Sequence, residues 1–158
     1  MSSTSSPLRQ PLIDPRGPRF GALITSVLLA LALVLHGSAP TASVVLLGVQ
    51  TVAFAAGSLV GPHAQPWGWV FRTFVRPRLA PPAELEDARP PRFAQTVGLG
   101  FALLALVGVA LSVAPLFYVA VGFALVAALL NAVFDFCLGC ELYLLGRRVL
   151  SRSSAAGA

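Results

Sequence analysis

The stretch PLFYVAVGFALVAALLNAVFDF, residues 115–136, decides the fold. Its only charged residue is Asp135, close to its end. Coiled into a helix at 1.5 Å per residue it is about 33 Å long, enough to cross a hydrocarbon core of roughly 30 Å. Lipid admits only helices or closed barrels, and the stretch lacks the alternation of apolar and polar residues that a barrel strand shows. It reads as a membrane-spanning helix.

Three other segments meet the same test: residues 20–36, 41–60 and 93–113. The first follows Arg16 and Arg19 as the core of a signal peptide would, but Pro40 directly follows its best cleavage site, so it reads as a first span. The composition agrees. The chain has 158 residues, suited to one domain, with 56% hydrophobic and 11% charged residues and a mean hydropathy of +0.81. Soluble domains carry about 25% charged residues, so a water-soluble globular protein is excluded. The expected fold is all-α, with four transmembrane helices forming two hairpins of the same orientation.

Charge placement sets the expected topology. All eleven basic residues are arginines, in three groups: Arg9, Arg16 and Arg19; Arg72, Arg76, Arg78, Arg89 and Arg92; Arg147, Arg148 and Arg152. The turns at 36–40 and 112–115 hold none. The positive-inside rule puts both termini and the 61–92 loop in the cytoplasm of a multi-pass protein. Arginine without lysine fits a GC-rich bacterial genome, and the inner membrane is the expected location. No basic groove with interleaved aromatics is present, so nucleic acid is not an expected partner. The expected division is a flexible cytoplasmic N-terminus at 1–17, a membrane domain at 18–150 and a flexible tail at 151–158.

In the middle loop, Trp67, Val70, Phe71, Phe74 and Val75 share one helical face and Arg72 and Arg76 another. This predicts a short interfacial helix anchored by tryptophan. The acidic turn at 81–92 follows, whose carboxylates either pair with nearby arginines or offer a docking surface. Pro18-Arg19-Phe20 opens the first hairpin and Pro91-Arg92-Phe93 the second, with Ala39-Pro40 and Ala114-Pro115 at the outer turns. Such matches suggest a pseudo-twofold axis along the membrane normal, and are also short enough for chance. Under the repeat, His63 takes the place of the cysteines. Small-residue stripes run through Ala120, Ala124, Ala128 and Ala132, through Ala53, Gly57 and Gly61, and through Ala94, Gly98 and Ala102. They serve tight helix packing, or a homodimer through a leftover stripe.

The candidate chemistry is Cys137-Leu138-Gly139-Cys140, the chain's only cysteines, where the last span meets its first charges. Read as i and i+3 of one helix, their Cα atoms fall about 5 Å apart, within disulfide range. Glu141 and Asp135 oppose a thiolate and Arg147 favours one, so these three are the expected tuning groups, and a helix break at Gly139 with a restart at Cys140 is the alternative that would favour the thiolate. A C-x-x-C motif is either a working dithiol or a pair of small apolar residues. Asp135, one turn inside a span, reads as an arginine partner or a proton handler. His36 and His63 fall on opposite sides, and no metal or nucleotide motif is present, so neither a metal nor a cofactor is expected.

Three stretches together carry a resemblance: residues 13–20, residues 82–87 with 91–95, and residues 131–143 with Cys137-Leu138-Gly139-Cys140-Glu141-Leu142-Tyr143. They resemble a bacterial domain-of-unknown-function family of small four-span membrane proteins, over about residues 12–148. The resemblance implies association with thioredoxin-like or rhodanese-like proteins, hence thiol or sulfane-sulfur chemistry. A looser similarity is to vitamin K epoxide reductase and related quinone-coupled oxidases. This chain lacks their second cysteine pair, and its dithiol is expected on the cytoplasmic side, which speaks against oxidation of secreted proteins. The expected function is exchange of electrons or sulfur with such a cytoplasmic partner, Cys140 attacking and Cys137 resolving. The alternative is a non-enzymatic scaffold recruiting partners through the 61–92 loop, with structural cysteines.

Overall fold

The computed structural model describes residues 12–156. Of the flexible N-terminus expected at 1–17, residues 1–11 lie outside them, as do residues 157–158 of the expected tail. In chain order come strand β1 (Leu12–Ile13), helix α1 (Arg16–Leu35) and helix α2 (Pro40–Val60), whose last turn widens to a π-helix. Helix α3 (Pro66–Val70) runs on through a π turn at Phe71–Val75 and a 3-10 turn at Arg76–Arg78. Strand β2 (Glu86–Asp87), α4 (Arg89–Ala110), α5 (Ala114–Phe134) and α6 (Leu138–Ala156) complete the order.

Helices α1, α2, α4 and α5 are 20, 21, 22 and 21 residues long with mean hydropathies of 1.9 to 2.3, each sufficient to span a bilayer. Their outward faces are apolar: Val34 is 75% exposed, Leu59 71% and Phe134 73%. Such a surface is stable against lipid and not against water. The chain is an all-α, multi-pass membrane protein. Proline begins three of these helices within the first two positions, where its missing N–H costs no hydrogen bond.

The spans form a ring in which α1 packs on α2 and α5, and α4 packs on α5 and α2. The core between them holds Leu29, Leu47, Phe54, Ala105, Phe117 and Val121. The small-residue stripes serve this packing. Ala53, Ala102, Ala120 and Ala124 are buried, and a Cβ on Gly98 would meet the Phe54 ring at 2.6 Å. With so little hydrophobic drive in lipid, this close approach is what holds helix to helix.

The internal repeat is visible in three dimensions. Arg19 of the first Pro-Arg-Phe donates to the Ala132 and Val133 carbonyls at the end of α5 (3.1 and 3.4 Å). Arg92 of the second donates to the Ser58 and Leu59 carbonyls at the end of α2, both at 2.8 Å. Each arginine thus caps the second helix of the other hairpin, where unsatisfied carbonyls and the helix dipole favour a cation. The correspondence extends outward. Asp14 pairs with Arg16 (2.8 Å) and Asp87 with Arg89 (2.7 Å). Phe20 meets Phe71 of the segment after α2, and Phe93 meets Tyr143 of the helix after α5, both with centroids 5.8 Å apart. Strands β1 and β2 pair antiparallel, Leu12 with Asp87 and Ile13 with Glu86, and so tie the starts of the two halves together.

The α3 segment is present, but the expected shared apolar face is split by the π turn: Phe71 is buried and Phe74 exposed. The Trp67 indole N–H turns inward to Gln50 Oε1 at 3.2 Å, because Gln50 is fully buried in α2 and needs a donor. The outward aromatics are Trp69 and Phe74, edge to face at 6.0 Å.

Candidate dithiol site

The sequence reading carries span four into the cysteines as one helix or breaks it at Gly139; the structure breaks it earlier, at Asp135. Asp135 adopts a left-handed conformation (φ 57°, ψ 28°) and ends α5. The N–H groups of Asp135 and Phe136 fold back onto the Asn131 and Leu130 carbonyls, both at 3.2 Å. The carboxylate reaches Arg19 at 3.9 Å, and the same guanidinium caps the α5 carbonyls, so the turn is held from outside. Asp135 is therefore an exposed arginine partner and helix terminator.

A new helix starts immediately. Glu141 N–H donates to the Cys137 carbonyl at 3.1 Å, the first bond of α6, and so places Cys137 at its N-cap and Cys140 in its first turn. Cys137 and Cys140 form a disulfide with Cα atoms 5.2 Å apart. The pair therefore lies at the start of one helix and not, as the uninterrupted reading has it, at the end of another. The free N–H groups and positive dipole end there favour a thiolate, the reverse of the C-terminal setting. Both cysteines are half-buried, so exposure does not single out Cys140.

Of the expected tuning groups, Glu141 lies in the first turn of α6 and is exposed. Arg147 is also exposed and acts on the Asp87 carboxylate, which is held below the usual range first by hydrogen bonds from Arg89 and more weakly by Arg147. Gly139, which the sequence offers only as a helix break, is instead a packing residue. Its position lies against Ala94 of α4, where an added Cβ would come within 2.6 Å of that residue's backbone. Glycine here lets α6 press on α4, and so fixes the disulfide against the bundle. The i to i+3 arrangement of a Gly between the cysteines gives no hint of this from sequence alone.

Two cavities flank the starts of α1 and α4, and Pro18, Pro91 and Gln95 contribute to both. One, of about 260 Å³, contains His63, Arg72, Arg76 and Asp14. The other, of about 270 Å³, contains Cys137, Gly139, Asn131 and the inner faces of α4 and α5. His63 and Cys137 each line one of these two cavities. Among the described residues, no three His, Cys, Asp or Glu side chains converge as metal ligands would.

The family described as Domain of unknown function (DUF4395) matches residues 13–148, nearly the whole chain. The chain belongs to that family. No curated protein and no solved structure matches it. The DUF4395 match spans both hairpins, the loop between them and the disulfide, so the repeat and the C-x-x-C site belong to one family unit.

Proposed function

We propose that this is a bacterial inner-membrane protein whose Cys137–Cys140 pair exchanges electrons or sulfane sulfur with a thioredoxin-like or rhodanese-like protein in the cytoplasm. The observation that carries the reading is the disulfide at the N-terminus of α6, at the same end of the bundle as the arginine-bearing loop and both helix-capping arginines. The arginine distribution supports the cytoplasmic side, since positive residues are retained there.

In the electron-transfer form, a partner thiolate attacks the Cys140 sulfur and a mixed disulfide forms. Cys137 departs as a thiolate, stabilised by the N–H groups of the first turn of α6. The partner's second thiol then attacks its own bridged sulfur and releases Cys140. The partner ends oxidised and the pair reduced, and the same mixed disulfide lies on the path in either direction. Glu141, Asp135 and Arg147 tune the pair, and the Arg19 contact offsets the Asp135 charge.

The test is a trapping experiment. Cys137→Ser is expected to capture a cytoplasmic partner through Cys140 as a mixed disulfide visible on non-reducing gels. Capture by neither single variant, with a double variant that behaves as wild type, removes the redox reading. The scaffold alternative draws on the loop's exposed Arg72, Arg76 and Arg78. It expects loop-charge reversal to abolish partner recovery while cysteine loss does not.

A further inference from the structure

The arginines of the loop between the hairpins divide by what they are bonded to. Arg89 pairs with Asp87, Arg92 caps α2, and Arg78 donates to the Phe74 carbonyl. Arg72 and Arg76 meet no carboxylate at ion-pair distance among the described residues. Arg72 donates from Nη2 to the His63 carbonyl at 2.6 Å, and the Arg76 side chain donates to no group among the described residues. A guanidinium carries five N–H donors, so most of theirs stay open to a ligand. Both arginines line the cavity of about 260 Å³ that contains His63, and also an adjoining open one of about 390 Å³ whose wall adds Arg16, Leu79 and Ala80. Asp14 is the one carboxylate in either wall among the described residues, and Arg16 takes it at 2.8 Å. Arg16 also donates to the Ala80 carbonyl at 3.1 Å, which fixes it against the loop. Three guanidinium groups thus share a space with one carboxylate, and like charges gathered so repel until an anion joins them.

Depth and surroundings say which anion fits. Arg16 opens α1, and the His63 carbonyl that holds Arg72 lies just past the end of α2, so the cluster sits where two spans leave the hydrocarbon. Phospholipid headgroups occupy that layer. Apolar side chains flank the charges. Leu79 lines the open cavity and is 42% exposed, and Trp69 and Phe74 stand out from the same segment at 55% and 51%. A lipid covers such side chains, whereas a water-borne anion leaves them in solvent. We infer that Arg16, Arg72 and Arg76 bind the phosphate of an anionic phospholipid, whose apolar part lies toward the exposed side chains of this segment. A planar guanidinium meets two phosphate oxygens at once, and Arg72, already held by a backbone carbonyl, loses little freedom on binding. A zwitterionic lipid carries the same phosphate with a cation attached, which the positive cluster repels. The inference is independent of the redox reading. It gives the first half of the molecule a task that the second does not share, since no arginine lines the cavity beside Cys137 among the described residues.

The test uses the full chain in a neutral detergent, titrated at fixed ionic strength with dioleoyl phosphatidylglycerol or dioleoyl phosphatidylcholine, with bound lipid counted by native mass spectrometry. The expected result is a single phosphatidylglycerol retained per chain at concentrations where phosphatidylcholine is not. Arg72→Gln and Arg76→Gln should each weaken that binding by about tenfold, the loss of one charge-assisted contact. Arg78→Gln removes the same charge from the same segment, but Arg78 lines neither cavity, and the variant should bind as wild type does. A thermal melt checks each fold, and the second cluster variant stands in if the first does not fold. Equal weakening by Arg76→Gln and Arg78→Gln reduces the effect to general surface charge and overturns the site. Equal retention of the two lipids, or retention of neither, overturns it as well. Inorganic phosphate is the last arm. It should displace phosphatidylglycerol only in large excess; displacement at equal concentration overturns the lipid and makes a free phosphate the occupant.

Discussion

At the scale of single residues, the α6 docking rests on a missing methyl group. A Cβ on Gly139 would sit 2.6 Å from both Cα and Cβ of Ala94, and neither atom can swing aside. Gly139→Ala is therefore expected to destabilise the protein by about 1–3 kcal/mol, the range for overpacking a close contact. Ala94→Gly in the same chain removes half the clash and should restore much of that loss; thermal unfolding in detergent compares the variants. Two carboxylates give a second residue-scale expectation. Side-chain hydrogen bonds from Arg16 hold Asp14 below the usual carboxylate range, and those from Arg89 do the same for Asp87. A depressed folded-state value stabilises the fold above the unfolded value of about 3.9 and loses that contribution as pH falls through the lower folded value. The melting temperature should hold from neutral pH down to about 4 and then drop. An Asp14→Asn, Asp87→Asn variant should show a shallower acid drop, and an unchanged acid limb would show that these pairs do not set it.

Elements show where sequence reading succeeds and stops. The four spans are legible because an apolar run of sufficient length has one stable form in lipid. The break between α5 and α6 is not, because Phe134-Asp135-Phe136-Cys137 carries neither glycine nor proline to stop a helix. What stops it is tertiary: Arg19, more than a hundred positions earlier, binds the last carbonyls of α5 and the Asp135 carboxylate. The C-x-x-C spacing gives the Cα separation correctly, since a helix start and a helix interior bring such residues equally close. It does not give the helix end to which they belong, and that end decides the electrostatics. Asp135→Gly should leave stability within about 1 kcal/mol of wild type, because glycine adopts positive φ freely and the exposed ion pair contributes little. Asp135→Val should cost more, since a β-branched side chain is strained at φ 57°. Arg19→Gln and Arg92→Gln should each cost about 1 kcal/mol through lost caps, and by similar amounts if the halves are equivalent. Chemical or thermal unfolding of the four variants side by side checks this, and a large cost for Arg19→Gln alone would contradict the reciprocal capping.

The whole molecule is two copies of one plan: a capped hairpin followed by a helix that folds back on the hairpin's first span. The first copy ends in the short α3 against α1, the second in the longer α6 against α4. Short sequence matches at Pro-Arg-Phe and Ala-Pro hint at this and already set His63 against the cysteines, but the equivalence of Phe71 with Tyr143 emerges only when the chain is folded. The plan also fixes a topology. Four spans bring both ends of the described residues, the loop between hairpins and the disulfide to one end of the bundle, and leave the turns near Ser38 and Ser112 at the other. Every arginine among the described residues is at the first end. Moving that many guanidinium groups across a membrane is far costlier than leaving them where the chain is made, so the disulfide end is expected in the cytoplasm. A membrane-impermeant maleimide decides it. In a chain whose two native cysteines are replaced by alanine, Ser38→Cys should label in intact cells. In the native chain, Cys137 and Cys140 should label only in inverted vesicles, and only after reduction if the disulfide is the resting state. Labelling of the native pair from outside intact cells would reverse the orientation and take the cytoplasmic partner with it.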